Sequence, residues 1–226
     1  MGSRALQLSV LAMAVATGLA TAGCSSAGSQ TAAKLIPQVQ AAAMTATSVH
    51  VAGAVAQGKN TATFDVSFSG SAVDGTVGVN GQTVHVLVLN GATYVKVDAA
   101  FLNAEHAPPS VCAKVCGKYV ELPAVAANQV TSFLNMQTLI TEVFKSKDIN
   151  SGTGGGCIFS PATRHGQSVL KCSQGPYTLE VAAHGKPYIA YYSGPHGEHL
   201  AFSGWNAVAP PSAPPASQVV SENALG

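Results

Sequence analysis

"SVHVAGAVAQGKNTATFDVSFSGSAVDGTVGVNGQTVHVLVLNGATYVKVD", residues 48–98, is the stretch that decides the fold. Apolar and polar residues alternate along it, the period of strands buried on one face. Four turn pairs interrupt the alternation: Gly58-Lys59, Gly70-Ser71, Asn80-Gly81 and Asn90-Gly91. A leading glycine suits a type II′ turn and Asn-Gly a type I′ turn, the two whose twist matches a hairpin. The turns predict a five-stranded antiparallel meander and its register. Val49, Val51, Gly53 and Val55 face Phe68, Val66, Phe64 and Ala62, and Phe68, Val66 and Phe64 face Val73, Gly75 and Val77. Val77 faces Val84, and Val84, Val86 and Val88 face Val97, Val95 and Thr93. One face thereby collects valine and phenylalanine. The other carries Thr61, Thr63, Asp65, Ser67, Asp74, Thr76, His85 and Lys96. A slip of one residue would exchange the faces, so burial of one face enforces the register. Gly53 and Gly75 leave room against the apolar face or mark bends.

An apolar sheet face needs a cover. "DAAFLNAEHAPPS" (98–110) predicts a short helix ended by Pro108-Pro109. "KYVELPAVAANQVTSFLNMQTLITEVFKSKD" (118–148) predicts two helices meeting near Asn135. Val130, Phe133 and Leu134, then Leu139, Ile140, Val143 and Phe144, fall at helical spacing. The Ala-rich residues 31–47 predict a further helix, interrupted near Pro37. The glycine run 152–156 leads into a strand, which makes it a loop and not a phosphate cradle. Strands return in "CIFSP", "QSVLKCS", "PYTLEVAAH", "PYIAYYS" and "EHLAFSGW". The chain ends in "PPSAPPASQVVSENALG", read as a disordered or extended tail.

The N-terminus places Arg4 before an apolar run, Ala5 to Ala22, broken by Gln7, Ser9 and Thr17. That pattern fits a signal peptide better than a membrane span. Thr21-Ala22-Gly23-Cys24 resembles a bacterial lipobox, with Thr21 where leucine is commoner. Cys24 is then the site of diacylglyceryl attachment, and the Ser/Gly/Gln residues after it form a flexible leash. The ordinary alternative is a cleaved signal with an incidental cysteine. Cys112, Cys116, Cys157 and Cys172 remain, an even set that suits two disulfides in an exported chain, with three pairings open. Cys157–Cys172 is favoured because the two flank a hairpin, and Cys112–Cys116 as a local clasp.

Lys and Arg total 11 against 10 Asp and Glu, so no cationic surface for nucleic acid is expected. No serine stands in a nucleophile elbow, and the acids are scattered. His196-Gly197-Glu198-His199 lies in a glycine-rich turn, unlike the rigid helical zinc motif. "CAKVC" lacks zinc spacing. His50 and His85 point to the polar face. No catalytic group, metal or cofactor is expected, and an enzyme is the weakest reading.

The order of lipobox, leash, helix, five-strand meander, apolar helices, further strands and a late tryptophan resembles the actinobacterial LppX/LprA/LprF/LprG lipoproteins. The resemblance covers residues 30–210. It is strongest in "NGQTVHVLVLNGATYVKVD", "KYVELP", the helical pair and "LAFSGWNAVAPP". It implies an α+β, LolA-like fold: a curved antiparallel half-barrel with helices over the concave face and an apolar cavity between. Members bind acylated lipids or lipoglycans and carry them outward from the cytoplasmic membrane. The chain departs from the pattern in its short 172–177 segment and its four extra cysteines, which point to a stiffer, smaller pocket.

The expected organisation is a signal peptide (1–23), leash and helix (24–46), lipid-binding domain (47–208) and Pro-rich tail (209–226). The protein would be lipid-anchored on the extracytoplasmic face of the membrane, with an acylated lipid or lipoglycan and a membrane transporter as partners. A cell-envelope sensor or interaction module is the alternative. The lining read from the pattern is Phe64, Val66, Val77, Val84, Val86, Val88, Val95 and Val97, with Phe133, Leu134, Leu139, Ile140 and Val143 from the lid. From the residues themselves, the same valine face serves a cavity wall or a dry core equally well.

Overall fold

The computed structural model describes residues 28–57, 60–79, 81–132, 134–145 and 157–221. Residues 1–23, read above as a signal peptide, Cys24, the expected turn residues Gly58 and Lys59, Asn80, Phe133 and the glycine run 152–156 fall outside them. A two-residue strand β1 (Gln30–Thr31) leads into helix α1 (Ala32–Met44). The meander follows as β2 (Ser48–Gln57), β3 (Asn60–Ser69), β4 (Ala72–Val79), β5 (Gln82–Leu89) and β6 (Ala92–Lys96). Next come α2 (Ala99–Ala104), α3 (Pro109–Val115), β7 (Tyr119–Glu121), α4 (Ala124–Thr131) and α5 (Met136–Lys145). The last strands are β8 (Ile158–Arg164), β9 (Gln167–Gln174), β10 (Tyr177–Ala182), β11 (Ile189–Ser193), β12 (His199–Ser203) and β13 (Val219–Ser221).

Among the described residues the strands form one sheet in the order β1-β8-β9-β10-β11-β12-β2-β3-β4-β5-β6-β7-β13. The protein is therefore α+β, dominated by a large, curved, unclosed sheet. Within the meander the expected pairs form: Val51 with Val66, Phe64 with Val77, Val66 with Gly75, Val77 with Val84 and Val86 with Val95. Only Val84 with Val97 does not, because β6 ends at Lys96. The turns explain the register. Gly70 has φ 59° at the first turn position, while Asn90 and Gly91 have φ 53° and 82°, the left-handed pair of a type I′ turn.

Four expectations need correction. First, α1 runs through Pro37 without interruption. A proline inside a helix costs about 3 kcal/mol. Leu35, Ile36 and Val39 are buried against the sheet, and each contributes about 1.5–3 kcal/mol, so burial wins. Second, Tyr119–Glu121 is a strand and not the start of a helix, and Pro109–Val115 is a helix that opens on its proline. Proline at the first turn sacrifices no helical hydrogen bond. Third, the tail, read as disordered or extended, carries a short strand, Val219–Ser221. Fourth, its strand β13 lies parallel to β7, so the sheet is mixed and not wholly antiparallel.

The helix junction near Asn135 forms as expected, with the Asn135 side-chain oxygen accepting from the Thr138 N–H at 2.9 Å. Both favoured disulfides, Cys112–Cys116 and Cys157–Cys172, are present. The second pins the start of α1 indirectly, since the Ala32 N–H donates to the Cys157 carbonyl at 2.9 Å. No helix among the described residues is long and apolar enough to cross a membrane.

Candidate functional site

The inner face of the sheet is covered in two parts. Helices α1 and α5 cover most of it. Leu35, Ile36, Val39, Met136, Ile140, Val143 and Phe144 pack there with Val49, Val51, Phe64, Val66, Phe68, Val77 and Val86. A smaller cluster of Val97, Val115 and Val120 takes Phe101 and Leu102 from α2, Val111 from α3 and Val220 from β13. Val84 and Val95 pack against both clusters and are buried in neither; Val88 is likewise only partly buried. They form a seam between the two covers. Helix α4 lies against β6 beside it and buries none of its own residues.

The sequence-predicted lining thus divides. Val66, Val77, Val86, Leu134, Ile140 and Val143 are buried together with Phe64 in the main cluster, and Val97 in the smaller one. Val84, Val88, Val95 and Leu139 remain partly accessible. The face of α1 that joins the main cluster was not read from the sequence as lining. Leu35, Ile36 and Val39 did carry helical spacing, masked by Pro37. Between α1 and α5 a hollow of about 310 Å³ is lined by Gln40, Met44, Ile140, Thr141 and Phe144.

At β11 the inner face carries Tyr192, whose phenol is pushed up to about 12, first by burial and then by the nearby Glu198 and Tyr177. Trp205, the single tryptophan, stacks on Tyr188 at 4.9 Å and on Phe202 at 5.9 Å, and its Nε1–H donates to the Ile189 carbonyl. These contacts close the β11–β12 end of the core.

The outer face holds the polar residues expected of it. His50 lies between Asp65, 2.8 Å from Nε2, and Ser203, 3.2 Å from Nδ1. The Asp65 side chain is 73% exposed on the open sheet surface, so the trio is a solvated cross-strand ladder. Glu180 is buried on this face beneath Arg164 at 3.2 Å and Lys171 at 3.8 Å, and Arg164 lies over the Tyr191 ring at 3.7 Å. Among the described residues no three His, Cys, Asp or Glu side chains converge as metal ligands would. No protein-family model and no curated protein matches the chain.

Proposed function

We propose that the protein is an exported, lipid-anchored carrier that takes the acyl chains of an amphiphile along its inner sheet face and moves them outward from the cytoplasmic membrane. Cys24 would hold it at the membrane, and a membrane transporter would hand over the cargo. The observation that carries this reading is the seam: Val84 and Val95 pack against both core clusters and stay partly exposed. Each CH₂ moved from water onto such a surface contributes about 0.8 kcal/mol, so a fatty chain is the ligand the surface rewards. Helix α4, with no fully buried residue, is a cover that can move at low cost.

The competing reading is an envelope interaction module, which needs one contiguous exposed apolar patch. The exposed large apolar side chains among the described residues, Met44, Val125 and Ile158, belong to three different elements. That favours the carrier.

The test is native mass spectrometry of a secreted Cys24→Ala variant, before and after incubation with vesicles of acylated lipid. A one-to-one lipid adduct is expected, lost in Val95→Trp, which fills the seam. Protein that leaves its host without lipid and takes none from vesicles overturns the proposal.

A further inference from the structure

Beside the acyl seam, and sharing Val84 with it, the meander carries a second, polar hollow. Across β4, β5, β6 and β7, Thr76, His85, Lys96 and Tyr119 stand in register as one cross-strand row. A hollow of about 280 Å³ opens beside it, lined by Thr76, Thr83, His85, Lys96 and Asp98, with Val84, Val97 and Gly117 as its remaining wall. That volume is near the low end for small-molecule sites, the size for one small ring.

The side chains around it are held in place by their neighbours. Asp74 lies 3.1 Å from His85 Nε2. The Tyr119 ring meets the His85 ring edge-on at 5.9 Å and lies beneath the Lys96 ammonium at 5.2 Å. One oxygen of Asp98 accepts from the Phe101 N–H at 2.8 Å. His85 Nδ1 is buried, with no hydrogen-bond partner among the described residues.

Charge decides the ligand class. Lys96 and Asp98 line the hollow as one cation and one carboxylate, and His85 is paired with Asp74, so the hollow has no excess of positive charge to hold a phosphate. Two threonine hydroxyls, an ammonium and a carboxylate offer both donors and acceptors, and Val84 and Val97 offer apolar wall. We infer that this hollow binds a neutral polyhydroxylated ring, as in a sugar, presented either as a free glycan or as the headgroup of an amphiphile. The assignment does not depend on the acyl-carrier reading.

The test is amide NMR titration of the full folded domain with methyl glucoside and methyl galactoside at tens of millimolar, with octyl glucoside kept monomeric, and with inorganic phosphate. Shifts confined to Thr76, Thr83, His85, Lys96, Asp98 and Gly117 are expected with the sugars and not with phosphate. Thr83→Val and Lys96→Met each weaken binding about tenfold, the loss of one good hydrogen bond, with unchanged thermal melting. Equal shifts from methyl and octyl glucosides identify a free glycan. Tighter octyl binding, with added shifts at Val88 and Val95, identifies a headgroup. No sugar response, a response elsewhere, or a preference for phosphate overturns the inference. Lipid uptake is measured separately, so either proposal can fail without the other.

Discussion

Gly75 stands opposite Val66 with φ 154°, and a Cβ built on it would overlap the carbonyl oxygen of Asp65 and lie 2.6 Å from the Cα of Val66. Gly53 repeats the arrangement on β2, with φ 152° against the carbonyl of His199. Both sit inside strands of the long sheet, at backbone angles that L-residues avoid. Gly75→Ala is therefore expected to destabilise by about 2–4 kcal/mol, combining overpacking against backbone with an unfavourable φ. A urea midpoint unchanged from wild type would show that the strand bends without needing glycine there.

The two disulfides should contribute unequally. Cys157–Cys172 spans 15 residues and lies in the main cluster, while Cys112–Cys116 spans 4. Loop-closure entropy gives about 3 kcal/mol for the longer and about 2 for the shorter. Double alanine replacement at 157 and 172 is expected to lower the urea midpoint more than replacement at 112 and 116. Loss of the 157–172 bridge should also release protection of the Ala32 amide in hydrogen exchange, because that amide bonds to Cys157.

Tyr192 makes stability fall in alkali. Its folded pKa is raised to about 12 from an ordinary 10.0. Below pH 10 both states keep the phenol protonated, and its contribution is fully present. Between about pH 10 and 12 the unfolded chain ionises first, which favours unfolding. Denaturant melts across that range should show declining stability, and Tyr192→Phe should flatten the decline. An identical slope in the variant would mean that other groups cause it.

Glu180 depends on its cations. Its side chain is 8% exposed, against 26% for Arg164. Arg164→Met leaves the carboxylate with Lys171 as its remaining cation and is expected to cost about 2–3 kcal/mol, below the full penalty for an abandoned buried charge. The double variant Arg164→Met, Glu180→Leu should be more stable than Arg164→Met. A double-mutant cycle with no coupling between the two positions would rule out a structural role for the pair.

How much could be read in advance follows from the range of the forces involved. Turn chemistry is local, and Gly70, Asn90 and Gly91 fixed a register that places Val66, Val77 and Val86 on one buried face. The cysteine pairs and the helix junction near Asn135 were legible for the same reason. The path of α1 through Pro37 was not, because its stability comes from sheet residues distant in sequence. Nor was β13, three residues whose pairing with β7 no local signal announces. The candidate lining was legible as an apolar set, but its division was not. Whether a valine ends in a packed core, as Val66 does, or on a seam, as Val84 and Val95 do, depends on where α1, α5, α2 and α3 stop covering the sheet. Alternation along a chain specifies which side a residue faces; only the three-dimensional packing of distant helices decides how completely that side is filled.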